Sequence, residues 1–306
     1  MIFPRMVKLA HISDPHLPMT KARFSQLLCK RILGFQSWHL NRKNVHDPAV
    51  LAGLVSDMQA FKPDHIAVTG DLTNIALPSE FVAAGQWLAG LGPADRVAVI
   101  PGNHDAYVKL RREDGTGHWQ QNMQGEYTVP ASDQQDGFPY VRVRKNVAMI
   151  ALSSSVPSPW FAAGGRVSAR QLSTLKTLLP RLRQQGFFRA VLIHHPPLPG
   201  QAKWRKALWN AGDLKDILVA EGAELVLHGH NHLHMHEQLK TTIGTTQVFG
   251  VPSASARETK HKPAAAWNLY HIRRDEGAWR CDVQIRGMGS DADQFAELRH
   301  FAVTFD

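Results

Sequence analysis

The chain has 306 residues, 43% of them hydrophobic and 20% charged. That balance excludes a disordered chain, and no run of 18 apolar residues is present to span a membrane. Lys and Arg total 35 against 26 Asp and Glu, a formal charge of +9, which fits either a solvated basic surface or attraction for anionic substrates, nucleic acid or anionic lipid.

The two cysteines, Cys29 and Cys281, are far apart and form no CxxC pair. A disulfide scaffold or a thiolate zinc site is therefore not expected, and a reducing compartment is. Met1 to Met6 run directly into a strand-like segment without a signal-peptide pattern. The expected location is cytoplasmic, with a peripheral place on the inner membrane face as an extension of it.

The first strand is expected from Val7 to Ser13. Asp47-Pro48 then opens a helix whose apolar stripe is Leu51, Leu54, Val55 and Met58. Strand His65–Thr69 ends at Gly70-Asp71. A helix near Ser79–Leu91 and a strand from Arg96 to Ile100 follow, the strand ending at Pro101-Gly102-Asn103-His104. Residues 107–139 are polar and irregular and read as a second lid over a site. Strands at Tyr140–Arg144 and Val147–Leu152 form a hairpin around Lys145-Asn146. Ser168 and Gln171 give a capping-box pattern for a helix reaching Gln185. Strand Ala190–Ile193 ends at His194-His195. A helix at Asp213–Glu221 and a strand at Leu225–Leu227 end at Gly229-His230. Short strands near 234–240, 246–251, 267–273 and 279–285 complete the pattern. One α/β domain of two packed sheets is the simplest assembly.

Five polar clusters stand just after predicted strands: Asp14-Pro15-His16, Gly70-Asp71, Gly102-Asn103-His104-Asp105, His194-His195 and Gly229-His230-Asn231-His232. Ligand sites form at strand ends because loops from neighbouring strands converge there. Asp71 has two oxygens and could bridge two cations. Asn103 offers an amide oxygen, and His194, His230 and His232 offer imidazole nitrogens. Such a donor set suits Mn, Fe, Zn, Co or Ni. Seven donors exceed the needs of one tetrahedral zinc and suit two ions roughly 3.5–4 Å apart.

The series DxH, GD, GNHD, a histidine after a strand, and GHxH resembles the calcineurin-like metallophosphoesterases. The spellings TGDLTN, PGNHD, HHPP and GHNH are most similar to the cyclic-nucleotide and glycerophosphodiester phosphodiesterase branch. The resemblance implies a four-layer αββα sandwich of two mixed sheets flanked by helices. It implies one ion (Mn, Fe, Zn or Co) on Asp14, His16, Asp71 and His232, and a second on Asp71, Asn103, His194 and His230. A hydroxide bridging the two would attack phosphorus. His104 would bind phosphate oxygen and stabilise or protonate the leaving group, and Asp105 would orient His104. Asn74 would touch phosphate or steady the site. His194 and His195 compete for one position; the family pattern favours His194, leaving His195 to reach substrate or to pack. Of the alternating His228, His230, His232, His234 and His236, only His230 and His232 are assigned as ligands, and His11 reads as a core histidine.

Residues 21–45 insert directly after DxH. Phe24, Leu27, Leu28 and Ile32 fall at helical spacing among six Lys or Arg. The segment is read as a cap helix on the domain or as a basic amphipathic element on a membrane surface. Trp119 and Tyr127 are expected to pack rather than stack on a base. Lys203 to Lys206 are placed beside the site or on a solvated helix start. The favoured activity is phosphodiester hydrolysis of a small molecule or lipid headgroup. The rivals are a UDP-diacylglucosamine-type pyrophosphohydrolase at a membrane, a nuclease, and a non-catalytic scaffold; the complete ligand set with His104 speaks against the last.

Overall fold

The structure, a computed structural model, describes residues 6–289 and 294–305; the reading of the chain start at Met1–Arg5 lies outside them. The elements run β1 (Val7–Ile12), α1 (Arg31–Ser37), α2 (Pro48–Ala60), β2 (His65–Val68), α3 (Pro78–Leu91), β3 (Val97–Val99), β4 (Tyr140–Arg144) and β5 (Val147–Ala151). Then come α4 (Ala169–Gln184), β6 (Phe188–Leu192), α5 (Ala211–Glu221), β7 (Leu225–His228), β8 (Met235–Thr241) and β9 (Gly244–Gly250). The last three are β10 (Ala266–Asp275), β11 (Ala278–Met288) and β12 (Phe295–Thr304).

Two six-stranded mixed sheets form, ordered β12-β11-β10-β1-β2-β3 and β4-β5-β6-β7-β9-β8. In the first, β1, β2 and β3 are parallel and β10 to β12 antiparallel. In the second, β5, β6, β7 and β9 are parallel, with β4 and β8 antiparallel at the edges. Side chains alternate between faces along each strand. Val147, Met149 and Ala151 of β5, with Phe188 and Leu192 of β6, join the core that contains Leu9, Val68 and Val99 of the first sheet. Ala148, Ile150 and Val191 face the other way, against Leu175 and Leu179 of α4 and Leu214 and Leu218 of α5. Leu51, Leu54 and Met58 of α2 and Phe81 and Leu88 of α3 cover the first sheet. The result is the expected helix–sheet–sheet–helix sandwich.

Local chemistry sets several boundaries. Asp47 Oδ1 accepts from the Ala49 N–H at 2.7 Å and caps α2. Ser168 Oγ accepts from the Gln171 N–H at 3.2 Å, half of the expected capping box. The other half is absent because the Gln171 amide pairs with both backbone groups of Ser153.

Three expectations need correction. Strand β12 was not anticipated; it is an edge strand, so its outer face lacks the apolar alternation that marks a covered one. The insert is not one helix on a 24, 27, 28, 32 stripe. It is a 3₁₀ turn at Phe24–Leu27, then α1, then a π turn at Trp38–Arg42. The break follows from Arg31, whose buried guanidinium donates to the carbonyls of Ile75 and Ala76 and ties the chain to the loop after β2. Finally, residues 107–139 mostly buttress the fold as 3₁₀ turns. Trp119 is fully buried on α3 and donates to Phe81 O at 3.0 Å, and Tyr127 reaches Gln185. Both pack, as expected.

Candidate metal centre

The five clusters converge where β1, β2, β3, β6 and β7 end. Two glycines permit the approach. A Cβ on Gly102 would collide with the Asp71 carboxylate and backbone. Gly70 has φ +99° and lies against the Gly102 backbone and the His194 ring. Asp14, His16, Asp71, His230 and His232 all have positive φ, between 38° and 65°. Non-glycine residues avoid this left-handed region at a cost of roughly 1–3 kcal/mol each. Five such residues in one cluster turn their side chains inward from strand ends.

Backbone N–H groups orient the two carboxylates. Asp71 Oδ1 accepts from His104 N–H at 2.7 Å, and Asp14 Oδ2 accepts from His230 N–H at 3.0 Å. This leaves Asp71 Oδ2 facing His194 Nε2 at 3.4 Å on one side and His16 Nε2 at 3.9 Å on the other. Asp14 Oδ1 faces His232 Nε2 at 3.0 Å. Asn103 Oδ1 lies 3.1 Å from His194 Nε2 and 2.7 Å from His230 Nδ1. The donors thus divide into Asp14, His16 and His232 on one side and Asn103, His194 and His230 on the other, with one oxygen of Asp71 between them.

The electrostatics match a cation site. Burial opposes ionisation of Asp14, yet His232, His194 and His16 outweigh it and hold the carboxyl well below the usual range. Asp71 is lowered in the same way, against burial, chiefly by His194 and His104. Burial pushes His16 and His230 well down, so both are neutral lone-pair donors. His194 is the exception: against burial, Asp71 draws it up to about 9. Its Nδ1 donates to Thr69 O at 2.6 Å, which turns Nε2 toward the other donors. Both ring nitrogens of His16 and Nε2 of His230 are buried without a hydrogen-bond partner. Orphaned buried nitrogens beside paired carboxylates are what bound cations would satisfy. The residues therefore fit a metal pair.

Of the other site candidates, Asp105 takes a different place from the expected one, while Asn74 and His195 take the steadying and packing alternatives. Asp105 does not orient the His104 ring. Its carboxylate accepts from the backbone N–H groups of Asp71, Thr73 and Gly102 at 2.8–2.9 Å. It therefore fixes the loop that carries Asp71. The His104 ring is held instead by Asn74, whose backbone oxygen accepts from Nδ1 at 2.5 Å. The Asn74 amide points away, donating to Leu17 O and Glu80 Oε1. His195 engages both ring nitrogens elsewhere, with Ser154 Oγ at 2.7 Å and Ala163 O at 3.1 Å.

Two residues at the end of the insert were not foreseen. Arg42 places Nη1 2.7 Å from His104 Nε2. His46 stacks obliquely on His16 with centroids 4.4 Å apart and pairs with Ser255 Oγ at 2.8 Å. Neither follows a strand nor sits in a recurring motif, so the sequence offered only the run of cations as a signal.

Residues 7–234 match the family model described as calcineurin-like phosphoesterase. The chain belongs to that family. It is 26% identical over 249 residues to a probable cyclic nucleotide phosphodiesterase of Synechococcus sp., covering 80% of this chain and 85% of that protein. It is 28% identical over 245 residues to the glycerophosphodiester phosphodiesterase GpdQ of Enterobacter lignolyticus, covering 78% and 75%. Among solved structures, a dimetal phosphatase from Danio rerio superposes with a TM-score of 0.65 at 12% identity, over 98% of this chain and 99% of that one. A purple acid phosphatase from yellow lupin gives 0.56 at 13% identity, over 98% and 54%. These structural likenesses speak to the fold. The chain is a hydrolase of the metallophosphoesterase family, whose members use a binuclear divalent metal centre.

Proposed function

We propose that this protein is a metal-dependent phosphodiesterase. The observation that carries the reading is the pair of donor groups sharing Asp71 Oδ2, with His104 and Arg42 standing beside them. Asp14, His16, Asp71 and His232 would hold one divalent ion, and Asp71, Asn103, His194 and His230 the other. When bound, such a pair lowers the pKa of a water and draws charge from phosphoryl oxygens.

The chain's own residues do the rest. Arg42 is a fixed cation at the phosphate position, bordered by Asp71 and Asp14. His104 presents Nε2 to the same place and meets the leaving oxygen. Hydrolysis joins a water oxygen to phosphorus, breaks one P–O ester bond and returns a proton to the departing alkoxide. Asn74, through its backbone oxygen, keeps the His104 ring in register. Asp105 holds the Asp71 loop. His195 is assigned to packing rather than to substrate.

A diester is favoured over a monoester because both curated relatives are named phosphodiesterases. The test is turnover of bis-p-nitrophenyl phosphate against p-nitrophenyl phosphate by protein loaded with Mn, Fe, Zn or Co. Higher kcat/KM on the diester supports the reading. Preference for the monoester, or no turnover with any of these metals, refutes it.

A further inference from the structure

Three loops enclose the metal centre. The insert, residues 21–45, delivers Arg42 to His104. The loop after β5, residues 153–167, touches His195 through Ala163 O. The loop after β6, residues 196–210, meets the turn that carries His230, where Asn231 Nδ2 donates to Gln201 O at 2.9 Å. The loops are joined to one another. Lys30 Nζ, from the insert, donates to Ser158 O and Oγ at 2.9 Å. Ala163 N–H donates to Arg205 O at 2.7 Å, linking the second loop to the third.

Their composition differs from the rest of the chain in two ways. Ten of the 35 Lys and Arg lie in these three segments, and none of the 26 Asp and Glu does. The remaining residues are close to electroneutral, so the excess charge of the protein is concentrated around the site. The same segments also hold seven of the twelve large apolar side chains exposed among the described residues. Leu40 is 78% exposed, Phe24 75%, Phe161 72%, Trp204 71%, Leu28 69% and Trp160 57%. Scattered apolar residues on a surface need no explanation, but a cluster on linked loops marks an interaction site. Lys30 and Arg31 are buried by backbone carbonyls and Leu27 packs on Ile75 and Leu77, so the insert is fastened down while Phe24, Leu28, Ile32 and Leu40 face out.

We propose that this rim is a docking surface for an anionic lipid membrane, and that the site draws its phosphoester from that surface. The second clause rests on the phosphoesterase reading; the first does not. Two features select a bilayer over other occupants. Tryptophan and phenylalanine with interspersed Lys and Arg suit the boundary between headgroups and acyl chains. Anionic headgroups supply the countercharge for three segments with no acidic residue of their own. A second copy of this chain would bring the seven exposed cations of these segments against themselves.

The test uses the full, metal-loaded protein in flotation with phosphatidylcholine vesicles, with and without phosphatidylglycerol, at low and high salt. Co-flotation is expected with the anionic vesicles, at least about tenfold above neutral ones, and is expected to weaken with salt. Two variants probe the two halves of the surface: Trp160→Ser with Phe161→Ser, and Lys203→Glu with Arg205→Glu. Each should lose about tenfold or more in vesicle binding, with hydrolysis of soluble bis-p-nitrophenyl phosphate unchanged. A wild type that stays with the soluble fraction overturns the proposal. So do variants that float like wild type, a dimer that these variants dissociate, or tighter binding to a single-stranded oligonucleotide than to vesicles. Absent vesicle binding with intact diester hydrolysis removes only the docking surface. Vesicle binding without hydrolysis of any phosphoester leaves the surface and removes the enzymatic reading.

Discussion

Nη1 of Arg42 lies beside both ring nitrogens of His104, 2.7 Å from Nε2 and 3.2 Å from Nδ1, while Nδ1 donates to the backbone oxygen of Asn74 at 2.5 Å. A carbonyl oxygen only accepts, so Nδ1 carries the proton of the ring, and the uncharged ring has its lone pair on Nε2. His104 is thereby held neutral with its proton on Nδ1. Burial and Arg42 together push its pKa down to about 4. An entering phosphate anion would take the guanidinium and, by its negative charge, favour protonation of Nε2, which could then donate to an ester oxygen. Arg42→Ala should therefore raise KM for a soluble diester and lower kcat/KM by about 10–100-fold, the worth of a charge-assisted hydrogen bond. Arg42→Lys should recover part of that loss, because one ammonium cannot reproduce the planar fork. Steady-state kinetics alongside metal analysis decide the matter. Wild-type KM in Arg42→Ala, or loss of metal from it, removes the assigned role.

Asp71 offers a different kind of test, because its Oδ2 lies between His194 at 3.4 Å and His16 at 3.9 Å. Removing it takes an oxygen from both donor groups at once. Asp71→Ala should bind neither ion tightly, whereas His232→Ala should spare the ion on Asn103, His194 and His230. Elemental analysis of the two purified variants distinguishes them. Two ions retained in Asp71→Ala would refute sharing.

The sandwich, and the convergence of the seven candidate donors on one place, were legible in the sequence for a local reason. Each donor follows a strand rich in β-branched or apolar residues, and strand ends converge. What could not be read depends on contacts between distant segments. Arg42 meets His104 only because Arg31 anchors the insert to Ile75 and Ala76, and no periodicity encodes that tether. The family resemblance implied that Asp105 would orient the ring of His104. Its oxygens instead serve backbone groups more than 30 positions away in the loop after β2. Strand β12 pairs along β11 as an edge, where pairing is set by register rather than by alternation of apolar residues.

The role found for Asp105 yields a prediction opposite to that for a residue steering His104. Its carboxylate accepts from three backbone N–H groups at 2.8–2.9 Å and from Thr73 Oγ1 at 3.0 Å. Burial and then Asp71 push its pKa up to about 7. Asp105→Asn would turn an amide toward those donors and leave N–H groups unmatched. We expect metal affinity to fall about 10–100-fold, as for other residues that support ligands. Thermal stability should fall with it, even without metal, as buried donors cost about 1–3 kcal/mol each when unpaired. A variant with wild-type metal affinity and stability but slow turnover would restore the role of steering His104.

Protonation of buried histidines should limit stability in acid. His11 lies in β1 with Nε2 2.9 Å from Thr69 Oγ1 and Nδ1 without a partner. Burial, then His228, lowers its pKa from 6.5 to about 3. Below pH 6.5 the unfolded chain takes up this proton and the folded one does not, so stability falls as pH drops from 6.5 toward 3. At pH 5 that loss is about 2 kcal/mol from His11 alone. His65, also buried and pushed well down by burial and by Arg144 and Arg142, adds in the same direction. Urea unfolding of metal-free protein at pH 7 and pH 5 should record the fall. His11→Gln keeps a polar group for Thr69 but cannot titrate, so the gap between the two pH values should shrink by about 2 kcal/mol. The same gap in both proteins would mean that His11 is already charged in the folded state.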